Sequence, residues 1–160
     1  MCVMQNVYEV YLLLNVIQMG LILSSFVKIL KENIRKSGGR IHSGPDEVAI
    51  QNAIFTRKGT ERAMRYAFEM AQTRCQHVTS ATKSKGLTYS MPFWDEVFTE
   101  VRKVYGNIGQ TTNHIDALAA FLVMKPQAFD VIVASNLFGD ILTDLVGRLW
   151  EVSALHPQPT

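Results

Sequence analysis

Apolar and polar residues alternate in blocks beyond residue 38, and these blocks predict strands and helices in turn. The segment from Val48 to Phe55 has the β-branched content of a strand, and Thr56 with Gly59 ends it. From Glu61 to Arg74 apolar residues recur at helical spacing, with charged residues between them. This segment is therefore predicted to be an amphipathic helix that covers a sheet.

The rest of this region continues the alternation as far as residue 150. Ser90, with Pro92 just inside it, predicts the start of a second helix. Gly106 ends that helix, and Pro126 ends the next one. The predicted strands cover residues 77–81 and 131–134, and the predicted helices cover residues 90–104, 115–124 and 138–150. Strands that alternate with helices predict an α/β fold.

The start of the chain has a different pattern, because no charged residue occurs from Val10 to Val27. That length is close to the minimum for a membrane-spanning helix, and basic residues follow it. Polar residues interrupt the run, so a buried helix or a pair of strands is the commoner explanation. We expect a divergent apolar segment over residues 1–37, one domain over 38–150 and a tail over 151–160, with membrane attachment through residues 10–27 as an alternative.

Composition and charge narrow the class of protein. The chain has 160 residues, enough for about one domain, and 16 basic against 14 acidic residues give a net charge of +2. The sequence shows no basic stripe with interleaved aromatic residues, which argues against a nucleic-acid partner. Cys2 and Cys75 fit neither a metal-binding spacing nor a disulfide framework, so we expect a reducing, cytoplasmic setting.

The segment SNLFGDILTDL, residues 135–145, places Asp140 and Asp144 four positions apart, directly after the predicted strand VIVA. This spacing puts both carboxylates on one face of a helix. Paired oxygen ligands after a strand can hold Mg²⁺ or Mn²⁺ and leave coordination positions open for a substrate. Aspartates near a helix N-terminus also cap the helix or complement its dipole, so the spacing alone leaves both explanations open.

Four segments in a fixed order carry a resemblance to a known family. They are FTRKGTERAMRYAFEMA at 55–71, SATKSKG at 80–86, HIDALA at 114–119 and SNLFGDILTDL at 135–145. Together they resemble the isopropylmalate/isocitrate dehydrogenase superfamily, and they are most similar to its tartrate dehydrogenase and D-malate dehydrogenase (decarboxylating) branch. The resemblance implies a partial isopropylmalate-dehydrogenase-like α/β fold, mainly the second domain, which holds the substrate, the metal and the dimer interface.

The same resemblance implies roles for four residues. Asp140 and Asp144 would bind a divalent ion, Mg²⁺ or Mn²⁺, from one subunit of a homodimer. Asp116 would reach the same ion from the neighbouring subunit. Lys83 would be the catalytic lysine, which takes the hydroxyl proton directly or through a water. The implied reaction is the NAD-dependent oxidation, often with decarboxylation, of a small 2-hydroxy dicarboxylate.

Several positions depart from the family's pattern. Lys31 stands where the family has an arginine that binds the substrate carboxylate, and the stretch with the family's proton-donating tyrosine is missing between Asn33 and Gly38. Lys85 replaces an asparagine two positions after the catalytic lysine. The family's nucleotide site lies largely outside this chain. We therefore expect a partial enzyme, and the alternative is a non-catalytic dimerising fragment of the same family.

The remaining polar candidates are given structural roles. His114, directly before the aspartate helix, more often caps such a helix or packs at an interface. Asn136 more often stabilises a turn than binds a ligand. His42 and His77 have no partner at a recognisable spacing. We assign no catalytic role to these four residues.

Overall fold

The computed structural model describes residues 11–13, 26–30 and 38–155, with side chains over 38–148. The strands within these residues are, in chain order, Tyr11–Leu13 (β1), Phe26–Leu30 (β2), Gly38–Ile41 (β3), Val48–Gln51 (β4), His77–Thr82 (β5), Gly109–His114 (β6) and Val131–Ser135 (β7). The helices are Arg57–Gln72 (α1), Ser90–Arg102 (α2), Ile115–Met124 (α3) and Asn136–Leu155 (α4), and short 3-10 helices cover Gly44–Asp46 and Pro126–Ala128. The predicted α/β class is confirmed.

The main sheet of the described residues has five strands in the order β1-β2-β7-β5-β6, and β3 pairs with β4 in a separate antiparallel hairpin. In the main sheet β1 is antiparallel to β2, and the other neighbours are parallel. Leu30 lies opposite Ser135, and Thr82 lies opposite His114. The four parallel strands therefore end at one edge, here called the carboxyl edge, where ligands bind in open α/β sheets.

Two pairs of helices cover the two faces of the main sheet. Helix α1 packs on α2, and α3 packs on α4. Side chains alternate along a strand, so Ser80 of β5 accepts a hydrogen bond from Trp94 of α2, whereas Lys83, just beyond the strand, contacts α3. Strand β5 therefore contacts both helix pairs, α1 and α2 on one side and α3 on the other.

Among the described residues, the three largest fully buried side chains lie between α1, α2 and the sheet. Trp94, Phe68 and Met64 are fully buried there, and Trp94 Nε1 donates to Ser80 Oγ over 2.9 Å. This bond satisfies the indole N–H, which burial would otherwise leave without a partner. On the other face Leu118 of α3 and Leu142 of α4 are fully buried. Strand β5 is therefore enclosed on both faces just before the lysine that follows it.

The predicted elements are present with shifted ends. Helix α2 begins at Ser90 as predicted, whereas α1 begins at Arg57 rather than Glu61. The earlier start follows from the Thr56 hydroxyl, which accepts a hydrogen bond from Gly59 N at 3.3 Å and caps the helix. Strand β6 is not predicted by the pattern of apolar residues. Helix α4 runs on through Leu155, past the boundary expected at residue 150.

The apolar stretch at residues 10–27 lies mostly outside the described residues. Its described parts belong to β1 and β2 of the main sheet. Among the residues that the structure describes, no helix is long and apolar enough to cross a membrane. The two described pieces agree with a pair of strands.

Candidate functional site

Lys83 follows the last residue of β5 and begins a tight turn at the carboxyl edge of the sheet. The Lys83 carbonyl oxygen accepts hydrogen bonds from Gly86 N at 2.8 Å and from Leu87 N at 2.9 Å. These bonds close the turn directly over the end of the strand. The lysine backbone is therefore held from both sides, by the buried strand before it and by the closed turn after it.

Asp116 lies in the first turn of α3, which follows β6 without a loop. Because β6 pairs in parallel with β5 and Thr82 lies opposite His114, the residues that follow the two strands meet at the carboxyl edge. Lys83 Nζ is 3.0 Å from Asp116 Oδ1. The structure thus joins two of the four predicted site residues within one chain.

The contact between these two side chains is open to solvent. The Lys83 side chain is 37% exposed and that of Asp116 is 67% exposed. The lysine ammonium, through its hydrogen bond, is the main reason why the pKa of the Asp116 carboxyl is held below its usual range, and the backbone N–H of Asp116 itself adds to the effect. Asp116 is therefore an ionised, accessible carboxylate, which suits an ion ligand.

Asp140 and Asp144 lie one turn apart on α4, and both are exposed. The Thr143 hydroxyl donates to the Asp140 carbonyl oxygen over 3.0 Å, and Asn136 Nδ2 donates to Asp140 Oδ2 over 3.5 Å. The second contact differs from the prediction that Asn136 stabilises a turn. Asn136 and Asp140 are four positions apart, as Asp140 and Asp144 are, and this spacing places each pair on one helix face. The spacing alone could therefore have indicated the contact.

The three predicted metal ligands are not gathered inside one chain. Within the described residues, no three side chains of His, Cys, Asp or Glu lie close enough together to hold one ion. The α4 pair alone still has the right chemistry for Mg²⁺ or Mn²⁺, since both ions prefer carboxylate oxygens and accept ligands from substrate or water. A complete site built on Asp116, Asp140 and Asp144 requires a further contributor.

Three histidines lie within the described residues. His114 occupies the N-cap position of α3 but makes no side-chain cap bond, so capping through its ring is not observed. His77 Nε2 is 3.1 Å from Thr111 Oγ1 at the opposite end of β5. His42 has a positive φ of 64° after the end of β3. Lys31 and the altered stretch after Asn33 lie outside the described residues.

Comparison with known proteins gives the family. The family model for isocitrate/isopropylmalate dehydrogenase matches residues 28–151. A probable tartrate dehydrogenase/decarboxylase of Bacillus subtilis (strain 168) is 65% identical over 120 residues, which are 75% of this chain and 34% of that protein. A D-malate dehydrogenase (decarboxylating) of Escherichia coli (strain K12) is 54% identical over 110 residues, which are 68% of this chain and 30% of that protein.

A solved structure of the same family has a similar fold. The crystal structure of isocitrate dehydrogenase from Methylococcus capsulatus matches with a TM-score of 0.71 at 34% identity, over 81% of this chain and 39% of that one. The chain spans about a third of the length of the curated relatives it matches, 34% and 30% for the two named above. The chain therefore belongs to the isocitrate/isopropylmalate dehydrogenase family, and its predicted similarity to the tartrate and D-malate dehydrogenases (decarboxylating) is confirmed.

Proposed function

We propose that this chain forms the substrate- and metal-binding half of an NAD-dependent decarboxylating dehydrogenase of the tartrate/D-malate type, which acts in the cytoplasm on a small 2-hydroxy dicarboxylate. The observation that carries the proposal is the 3.0 Å contact between Lys83 Nζ and Asp116 Oδ1. It brings a lysine and a carboxylate that are far apart in sequence to the edge of the sheet where ligands bind. A proton acceptor and an ion ligand thereby share one site.

Lys83 is the proton acceptor in this proposal. In its neutral form the Lys83 amine would take the proton of the substrate's 2-hydroxyl at Nζ, and NAD, when bound, would supply the acceptor for the hydride from the adjacent carbon. The side chain suits this role because it is anchored by a closed turn and yet remains 37% exposed at the carboxyl edge. A substrate at that edge can therefore reach Nζ without a rearrangement of the strand.

Asp116, Asp140 and Asp144 would hold Mg²⁺ or Mn²⁺. When bound, the ion polarises the hydroxyl and stabilises negative charge on the substrate oxygen after carbon dioxide leaves. The three carboxylates also repel a dicarboxylate substrate unless cations are present to offset their charge. In its protonated form Lys83 provides one such positive charge beside Asp116, and it must lose that proton before it can act as the base.

A homodimer completes the site in this proposal, with Asp116 from one copy and the α4 pair from the other. The helices that carry the three aspartates also expose large apolar side chains. Val123 and Met124 of α3 and Leu137 and Ile141 of α4 are each at least 50% exposed. Large exposed apolar side chains are typical of interfaces, and their presence on both helices supports the proposal that α3 and α4 face a second copy.

The β3–β4 hairpin offers a second surface for the same partner. Ile41, Val48 and Ile50 are exposed by 47%, 49% and 44%. A two-stranded ribbon with apolar side chains in water is only marginally stable by itself. Cover from a second copy would remove this apolar area from solvent.

Turnover by the purified chain tests the proposal. With NAD, Mn²⁺ and D-malate or tartrate, we expect only slow NADH formation, because the chain spans about a third of the length of its relatives. We expect Lys83→Met to lower that rate by about 10²- to 10⁴-fold, the usual contribution of a positioned base. Lys103→Met, which changes an exposed lysine after the last residue of α2, should leave the rate unchanged. Equal rates for wild type and Lys83→Met would contradict the role of Lys83. If the wild-type chain shows no turnover and also fails to bind Mn²⁺, the proposal as a whole is contradicted.

A further inference from the structure

Asn136 is the first residue of α4, and its half-buried side chain turns toward the next turn of the helix. Its Nδ2 donates a long hydrogen bond of 3.5 Å to Asp140 Oδ2. With Asp144 a further four positions along, the three residues form a row on one helix face, here called the α4 row. Asn136 is the member of this row that cannot bear a charge.

We propose that Asn136 is a positioning residue for Asp140, a role that rests on the function proposed above. The amide holds Asp140 Oδ2, so one rotamer of the carboxylate is favoured and Oδ1 is left free to face a cation. Asp140 needs such help because it is exposed and makes no side-chain ion pair among the described residues. Residues that orient a metal ligand typically change metal affinity by about 10- to 100-fold when they are replaced.

A purely structural role for Asn136 makes a different prediction. An amide and a carboxylate four residues apart stabilise a helix without reference to any ligand, so their loss would change the unfolding temperature and leave the affinity for metal unchanged. Thr143 provides the matched control. It also bonds to Asp140, but through the main-chain oxygen at 3.0 Å, so its replacement perturbs the helix and spares the carboxylate.

The test is calorimetric titration of Mn²⁺ into the full 160-residue chain, with thermal unfolding of each variant measured alongside. We expect Asn136→Leu to raise the Kd for Mn²⁺ about 10-fold, at the low end for an orienting residue because the bond is long, and Thr143→Val to leave it within about twofold. Asn136→Ser, which keeps a shorter donor, should fall between wild type and Asn136→Leu and serves if the leucine variant does not fold.

Each outcome decides the matter. Unchanged Mn²⁺ affinity in Asn136→Leu or in Asn136→Ser, with wild type binding, would overturn the positioning role and leave the proposed function standing. The same would hold if Thr143→Val weakened binding as much as the Asn136 variants. Failure of the wild-type chain to bind Mn²⁺ would overturn the positioning role together with the metal site of the proposed function.

Discussion

Two ion pairs of nearly equal length lie at opposite ends of β5. Arg74 Nε is 2.9 Å from Asp130 Oδ1 near the start of the strand, and Lys83 Nζ is 3.0 Å from Asp116 Oδ1 beyond its end. Their surroundings differ greatly. The side chains of Arg74 and Asp130 are 15% and 6% exposed, whereas those of Lys83 and Asp116 are 37% and 67% exposed.

The difference in burial separates a structural pair from one that is available for chemistry. Asp130 uses its second oxygen, Oδ2, to accept a hydrogen bond from His77 N at 3.2 Å, so its carboxylate joins the end of α1, β5 and β7. Buried charges need every partner, because removal of one leaves the other without compensation. Exposed charges are solvated in any case and contribute little to stability. The buried pair of Arg74 and Asp130 thus lies near the start of β5, and the accessible pair of Lys83 and Asp116 lies at the carboxyl edge.

The largest expected effect is on the buried pair. Asp130→Ala should lower the free energy of unfolding by about 3–5 kcal/mol, because Arg74 and His77 N both lose their partner inside the protein. Denaturant unfolding measures the change. Asp46→Ala, which removes an exposed carboxylate from the short 3-10 helix, is the control and should change stability by less than about 0.5 kcal/mol. Equal losses of stability in Asp130→Ala and Asp46→Ala would contradict a structural role for the pair of Arg74 and Asp130.

Breaking the exposed pair is expected to change the stability of the fold too little to be detected. Lys83→Met should leave the midpoint of thermal unfolding unchanged, because the charge that remains, Asp116, is 67% exposed and stays solvated without its partner. The same variant is expected to lose turnover, so stability and activity should separate at this position. A marked loss of stability would show that Lys83 is part of the framework, as Arg74 is.

The most subtle prediction concerns the titration of Asp116. Its pKa is lowered in the folded chain, chiefly by the hydrogen bond from Lys83, so the stabilisation from this contact is present above the ordinary aspartate pKa of 3.8 and is lost as the pH falls through the lowered value. In Lys83→Met the pKa of Asp116 should rise back toward 3.8. Carboxyl chemical shifts followed by NMR measure both values. Identical values in the two proteins would mean that the contact does not persist in solution.

The sequence predicts the buried strands better than the exposed one. Val131–Ser135 is apolar and buried on both faces, so its pattern is clear. Gly109–His114 is a polar edge strand with mostly exposed residues, so neither alternation nor an apolar run marks it. A strand that buries few side chains leaves little trace in the pattern of hydrophobic residues.

The missed strand also limits what can be predicted of the site. Asp140 and Asp144 are readable from their spacing on one helix, because both lie on the same element. The contact between Lys83 and Asp116 depends on the parallel pairing of β5 with β6, which no local pattern indicates. The resemblance to a known family singles out both residues, but only the folded structure shows that their side chains are 3.0 Å apart. Long-range pairing is thus the part of the site that the sequence alone does not give.

The central claim is that two copies of this chain build one metal site, and a mixing experiment tests it most directly. Asp116→Ala and Asp140→Ala chains, each purified, are dissociated in mild denaturant, mixed in equal amounts and reassociated, and tight Mn²⁺ sites are then counted. Each variant alone should have none, whereas the mixture should recover about one quarter of the wild-type number, because half of the dimers are mixed and each mixed dimer carries one intact site. A mixture that binds no more Mn²⁺ than its parents, or parents that bind as well as wild type, would contradict the account.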